Sequence, residues 1–162
     1  TTIEEFWCIW NNIPDGATLA SSDKIIYIDG CQLVSYSLFR DGIKPEWEES
    51  ENSNGSEWGC REEMTDEMVN NIWMNICLDT IGASIDIVGA RLVNKNSDYK
   101  LTTKIELWML NKQNPVSVYG QLQECLRKLP YASNFTLLYH DCRHKDDYSF
   151  FKRKKKAHSY RY

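Results

Sequence analysis

Tyr36-Ser-Leu-Phe-Arg-Asp-Gly-Ile-Lys-Pro-Glu-Trp-Glu-Glu49 is the stretch on which the reading of this chain turns. Residues 36–39 read as a short strand, and Pro45 then stiffens a loop that presents Trp47 and Glu48 side by side. An indole face attracts a positively charged ring through stacking and cation–π forces. An ionised carboxylate is acceptor-only and takes two parallel N–H bonds from the edge of a base. The pair therefore suits a planar cationic base. The residues alone leave a second reading open, an exposed tryptophan in an acidic loop.

Working outward, Thr2-Ile-Glu-Glu5 reads as a capping box, with Thr2 as N-cap and Glu5 reaching back. The helix it opens is expected to run to about residue 12 and to end at Pro14-Asp15-Gly16. Ile3, Phe6, Trp10 and Ile13 fall on one stripe of it, with Trp7 at the rim. Residues 25–35 read as a hairpin, because Asp29-Gly30 between two apolar runs is a strong short-range turn signal. The acidic, Ser/Asn-rich residues 48–55 read as a mobile loop.

A second helix is expected over residues 65–81, with Asp66 and Glu67 at its positive end and Gly82 as its C′ residue. It carries two apolar stripes. Val69, Ile72, Trp73, Ile76 and Cys77 form one, and Met74, Leu78 and Ile81 form the other. A helix lying on a sheet needs one stripe for its core. The second either receives a partner or is covered by the same domain. Residues 87–95 and 104–110 read as paired strands joined by the polar turn 94–100. In the first, Ala90 and Leu92 point one way and Arg91, Val93 and Lys95 the other. A third helix is expected over 116–129, closed by Pro130, and a further strand over 135–139.

The chain has 162 residues, which bounds it to one domain over 1–162, and 42% are hydrophobic, enough for a core. No run of 18 apolar residues appears, so no membrane contact is expected. The start, Thr-Thr-Ile-Glu-Glu, shows no signal peptide. The six cysteines include no CxxC pair, which argues against zinc or a redox pair, and no cofactor is expected. Cys8, Cys77 and Cys125 lie in helical patterns and read as packed, reduced thiols, as in the cytoplasm or nucleus. Net charge is −4, unevenly spread: residues 1–70 hold 15 acids and 4 bases, and residues 71–162 hold 8 acids and 15 bases. Residues 152–162 are basic and are expected to form a flexible tail.

Several segments together resemble one family. They are Ile3-Glu-Glu-Phe-Trp-Cys-Ile-Trp-Asn-Asn-Ile13, the 36–49 stretch, Asn54-Gly-Ser-Glu-Trp58, Ile72-Trp73 through Ile81-Gly82, and Ile87-Val-Gly-Ala90 through Lys104-Ile-Glu-Leu-Trp108. Their order, and the spacing of Trp7, Trp47, Trp58, Trp73 and Trp108, is similar to eukaryotic translation initiation factor 4E, the messenger RNA cap-binding family. The resemblance covers residues 3–110, and the last fifty residues match loosely. It implies an α+β fold, a curved antiparallel sheet with three helices on its convex face and a cap site on its concave face. It also implies that residues 25–35 are an inserted hairpin.

By the same resemblance, Trp47 stacks on 7-methylguanine, Glu48 accepts the N–H donors of the base and Trp108 touches the N7-methyl group. Lys95 and Lys104 match positions that grip the cap phosphates, with Lys95 standing where the family usually has arginine. Arg91 lies on the face of Lys95 and joins them on our own reading of the strand, and Arg153 and Lys154 in the basic run are further candidates. Trp7, with Ile3, Met74 and Gly82, matches the dorsal surface that receives helical peptides of initiation factor 4G or of 4E-binding repressors. Asn75, Leu78 and Ile81 extend that surface, which suits an amphipathic helix laid on an apolar patch.

Three departures bear on this. Asn75 replaces an acid that normally pairs with a basic residue of the partner. Glu57 stands where the family often has arginine, and would repel phosphate if it pointed inward. A first strand and a first stacking tryptophan are expected before Ile3. Truncation or disorder is the expected reason that they are absent, because loss of the strand would expose a sheet edge. The resemblance implies a non-enzymatic cap-binding protein. The alternative is an interaction module or translational repressor of the same fold with weak or no cap binding. An enzyme finds no support, since His140, His144 and His158 pair with no recognisable nucleophile or metal motif.

Overall fold

Thr2 caps the first helix as its sequence predicts. The Glu5 amide donates to Thr2 Oγ1 at 3.2 Å and the Thr2 amide donates to Glu5 Oε2 at 2.7 Å. In the computed structural model, residues 2–21, 25–49, 52–95, 102–110, 113–130 and 137–141 are described. Cys142, Arg153, Lys154 and the basic tail lie outside them, as does most of the 94–100 turn. The first helix, α1, spans Ile3–Trp10 and buries no residue fully. Phe6 and Trp10 rest against the core while Ile3 is 58% and Ile13 37% exposed, so only the middle of the expected stripe is used.

Pro14-Asp15-Gly16 ends α1 but does not lead straight into loop. Asp15 caps a short helix, α2, over Gly16–Ala20 by accepting from the Thr18 amide at 2.7 Å. Asn70 ties α2 down, accepting from the Ala17 amide at 2.8 Å and donating to Asp15 Oδ2 at 3.1 Å. The hairpin that follows pairs β1, Tyr27–Ile28, with β2, Cys31–Gln32, through a turn in which Asp29 and Gly30 both take positive φ.

The main sheet has five strands: β3 at Ser35–Phe39, β4 at Ser56–Glu62, β5 at Gly89–Asn94, β6 at Thr103–Met109 and β7 at Leu138–Asp141. Their order is β3-β5-β6-β4-β7, and every pair is antiparallel. Two helices complete the fold, α3 at Asp66–Ile81 and α4 at Pro115–Leu126. α3 packs on β5, α2 and α4. The stripe of Val69, Ile72, Trp73, Ile76 and Cys77 is wholly buried against the sheet residues Ala90, Leu92, Ile105 and Leu107. Trp58 joins this core from β4, packing on Tyr119 and Tyr139 and donating its indole N–H to the Pro115 carbonyl at 3.0 Å. The helices therefore cover one face of the sheet, the one read as convex, and leave the other open.

Differences from the sequence reading have local causes. There are four helices among the described residues, α2 being the addition to the expected three. β4 was not anticipated as a strand, although it pairs on both sides. α4 ends at Leu126, three residues early, and β7 covers Leu138–Asp141, residues 135 and 136 of the expected strand lying outside the described residues. The left-handed residue after α3 is Ala83, with φ of 54°, and Gly82 is an ordinary C-cap. The Ser84 amide reaches the Asp79 carbonyl at 2.8 Å and the Ala83 amide the Thr80 carbonyl at 3.2 Å, the Schellman pattern. Cys77 and Cys125 are buried, and burial pushes both thiols well above their ordinary range, whereas Cys8 is exposed rather than packed.

The two stripes of α3 differ in depth. Ile76 is fully buried and Leu78 is 37% exposed. Ile76→Ala leaves a cavity between helix and sheet and should cost about 2–5 kcal/mol of stability. Leu78→Ala should cost about 1 kcal/mol or less. Urea unfolding midpoints of the two variants compare them directly, and equal losses would show that the second stripe is core.

Candidate functional site

Strand β6 alternates between the two faces. Ile105, Leu107 and Met109 enter the core, so Lys104, Glu106 and Trp108 fall on the open face. The register sets their neighbours. Trp108 lies between Gly89 of β5 and Glu57 of β4, Glu106 between Arg91 and Gly59, and Lys104 between Val93 and Arg61. Phe39 of β3 is paired with Gly89. A Cβ at residue 89 would collide with the Phe39 ring, so only glycine lets that ring reach across the strand. Phe39 meets Trp108 edge-on, with centroids 5.3 Å apart at 81°.

Trp47 closes over this group. Its ring is stacked on Trp108, with centroids 3.5 Å apart and planes within 15°. Trp108 is only 1% exposed as a result, while Trp47 remains partly exposed and Glu48 is exposed. The Arg91 guanidinium stands 5.8 Å from the Trp108 ring centre, at cation–π range.

The loop bearing Trp47 is held by one buried side chain. Asn52 is 1% exposed and donates from Nδ2 to the carbonyls of Lys44, at 2.7 Å, and Glu46, at 2.9 Å. These carbonyls flank Pro45, so the two bonds fix the loop just before the indole. Lys44 also pairs with Glu49 at 3.4 Å. The sequence reading of 48–55 as a mobile loop missed this anchor, because a single asparagine in a Ser/Asn-rich stretch gives no sign of burial.

Beside the rings lies a ladder of charge. Lys104 Nζ donates to Glu106 Oε1 at 2.6 Å and to Glu57 Oε1 at 3.0 Å. Glu106 Oε2 accepts the Trp108 indole N–H at 3.1 Å and faces the Arg91 guanidinium at 3.6 Å. Burial opposes the Lys104 ammonium, but the hydrogen bond it donates to Glu106 and the charges of both carboxylates outweigh it, so the group titrates above the ordinary lysine range. Glu57 therefore points onto the open face, among the rings and cations, with only 8% of its surface exposed.

The structure thus brings together Trp47, Trp108, Arg91 and Lys104, with Glu48 at the margin. Lys95 is exposed one residue past β5, where its backbone bonds Thr102 at 2.9 Å in each direction. Glu106, Phe39 and Asn52 are parts of the site that the sequence reading did not name. Extending the period of two from Trp108 and Lys104 would have placed Glu106 with them. On the helical side, Ile3 and Trp7 lie on α1, and Met74, Asn75, Leu78 and Ile81 on α3, followed by Gly82. Trp7 is partly exposed with Phe6 against its edge at 5.2 Å, Ile81 is 44% exposed, and Asn75 donates to the Asn71 carbonyl of its own helix at 2.8 Å.

Comparison with known proteins extends the geometry. The chain is 33% identical over 126 residues to eukaryotic translation initiation factor 4E of Eremothecium gossypii, a match covering 74% of this chain and 53% of that protein. It is 30% identical over 124 residues to that of Xenopus laevis, covering 72% and 51%. The chain thus spans about half the length of these curated relatives. Among solved structures, C. elegans eIF4E-3 in complex with the 4E-binding protein Mextli and a cap analog aligns with a TM-score of 0.62 at 20% identity, covering 98% of this chain and 79% of that one. Ascaris suum eIF4E-3 with an m2,2,7G cap aligns at 0.64 and 22%, covering 90% and 76%. At these identities the structures establish the fold. The sequence model of the family described as eukaryotic initiation factor 4E matches residues 1–159, and the chain belongs to that family.

Proposed function

We propose that this protein binds the 7-methylguanosine cap of messenger RNA and serves translation initiation as a binding protein, not an enzyme. The observation that carries this is the Trp47–Trp108 stack with Glu48 exposed beside it. Trp47 offers its outer ring face to a cationic base and Glu48 accepts the base's N–H donors. Contact between Trp108 and the methyl group requires the Trp47 ring to lift, since it now covers Trp108. Exposed Lys95 offers positive charge for the phosphates, while Lys104 and Arg91, also candidates, stand on the open face already facing Glu106. Arg153 and Lys154, outside the described residues, are assigned the same role. Work in the cytoplasm, and also in the nucleus, goes with this reading.

The solved relatives named above were captured with a cap analog or an m2,2,7G cap, and one also with a 4E-binding protein. By that likeness, and by the exposure of Ile3, Leu78 and Ile81 and the partial exposure of Trp7, the helical side receives an amphipathic helix of a scaffold like initiation factor 4G or of a repressor. Met74, Asn75 and Gly82 complete the surface. A second reading, an interaction module with weak or no cap binding, draws on the inward position of Glu57.

Titration with 7-methyl-GTP should quench the tryptophan fluorescence strongly, and GTP should do so at least about tenfold less tightly, a difference of about 1.4 kcal/mol. Trp47→Ala should remove that preference. Equal, weak responses to both nucleotides would leave the interaction module as the surviving reading. Trp7→Ala should weaken binding of a scaffold-derived helical peptide by about 2 kcal/mol or more, as truncation of a central aromatic anchor does. The same variant should keep the quench by 7-methyl-GTP. A peptide that binds Trp7→Ala normally would remove α1 from the partner surface.

A further inference from the structure

Two cations flank Trp108 on the open face, and neither is held in reserve for an anion. Lys104 Nζ is within 2.6 Å of Glu106 and 3.0 Å of Glu57. Arg91 faces Glu106 at 3.6 Å. The carboxylate side chains are about nine-tenths buried, with 9% of Glu106 and 11% of Glu57 exposed, and the cations are about three-quarters buried. The group of four carries no net charge. A phosphate approaching Lys104 meets two carboxylates already in contact with the same nitrogen, and repulsion at that range is little screened in a half-buried site. Glu106 is fixed in place, because its other oxygen accepts the Trp108 indole N–H, a buried donor that would otherwise be stranded.

We propose that Glu57 and Glu106 set the ligand preference of this site: by occupying Lys104 and Arg91 they make affinity depend on the methylated base and only slightly on the number of phosphates attached to it. This rests on the reading of Trp47 and Glu48 as a methylguanine site. The ligand class is then a 7-methylguanine nucleoside, with the polyphosphate as a minor contributor. Glu57 is the specificity-determining residue most open to test, since its charge can be removed without touching the Trp108 bond.

The experiment compares 7-methylguanosine, 7-methyl-GMP and 7-methyl-GTP by tryptophan fluorescence at fixed ionic strength, in the wild type and in Glu57→Gln. In the wild type, affinity should rise by less than about tenfold from nucleoside to triphosphate, about 1.4 kcal/mol. In Glu57→Gln the ratio of triphosphate to nucleoside affinity should grow by about fivefold or more, because a charge repelling the phosphates is gone. A wild-type rise of tenfold or more, or a ratio that Glu57→Gln fails to raise, would overturn the proposal. Salt dependence in the wild type decides the matter even if the variant does not fold. The affinity for 7-methyl-GTP should change by less than about twofold between about 50 and 200 mM salt, and a steeper fall would show free cations gripping the phosphates. Absence of binding by all three ligands, the nucleoside included, would instead overturn the methylguanine reading itself and the proposal with it.

Discussion

The two-residue alternation of β6, in the middle of the sheet, is the constraint on which both the core and the site depend. β4 pairs with it over Thr103–Met109 and β5 over residues 103–108, so it is flanked by a partner strand on both sides. Its side chains then have no freedom of face. Ile105, Leu107 and Met109 go under the helices, and Lys104, Glu106 and Trp108 go to the open side. A slip of one residue would bury a lysine, a glutamate and a tryptophan in place of three aliphatic side chains. Burying each of those aliphatic side chains contributes roughly 1.5–3 kcal/mol. The core therefore holds the site residues in register, although none of them belongs to it.

The open face had to solve an electrostatic problem that this register creates. Arg91, Lys104 and Glu106 fall next to one another and are partly withdrawn from water. A buried charge without a partner is far more costly than a paired one, and the pairing here is extended by Glu57 from β4. The indole N–H of Trp108 is drawn into the same system. The Trp108 ring and the charges beside it thus share one hydrogen-bonded group, which fixes the orientation of the indole as well as balancing the charge of the lysine.

Much of the fold was legible because local physics and tertiary packing agree. The α3 stripe predicted all five residues that are buried on that helix, and the capping box at Thr2 and the Asp29-Gly30 turn formed as read. Where the two diverge, the sequence misled. β4 reads Ser-Glu-Trp-Gly-Cys-Arg-Glu, with charges and a glycine that suppress any strand signal, and it is held by pairing with β6 and β7 rather than by propensity. Gly82 attracted the C′ assignment because glycine is the usual occupant, yet the chain places Ala83 there and accepts the strain. At the site, Trp47, Trp108, Lys104 and Arg91 could be named from the sequence. Their contacts could not, because they join strands and a loop distant along the chain, and Asn52 gave no signal at all.

How Trp47 is brought to stacking distance follows from a short mechanical chain. Met109, the residue after Trp108, presents its carbonyl to Gly55, and a Cβ at that glycine would collide with the carbonyl oxygen. The start of β4 is thereby pressed against the end of β6. The Gly55 amide donates to the Asn52 carbonyl at 2.8 Å, and Asn52 in turn grips the carbonyls of Lys44 and Glu46 on either side of Pro45. Proline fixes its own φ, so little freedom remains before Trp47. Each link is a backbone approach or a buried hydrogen bond, and none involves the indole itself. The backbone beneath the ring is thus fixed by contacts independent of the indole, whose own placement rests on its stack with Trp108.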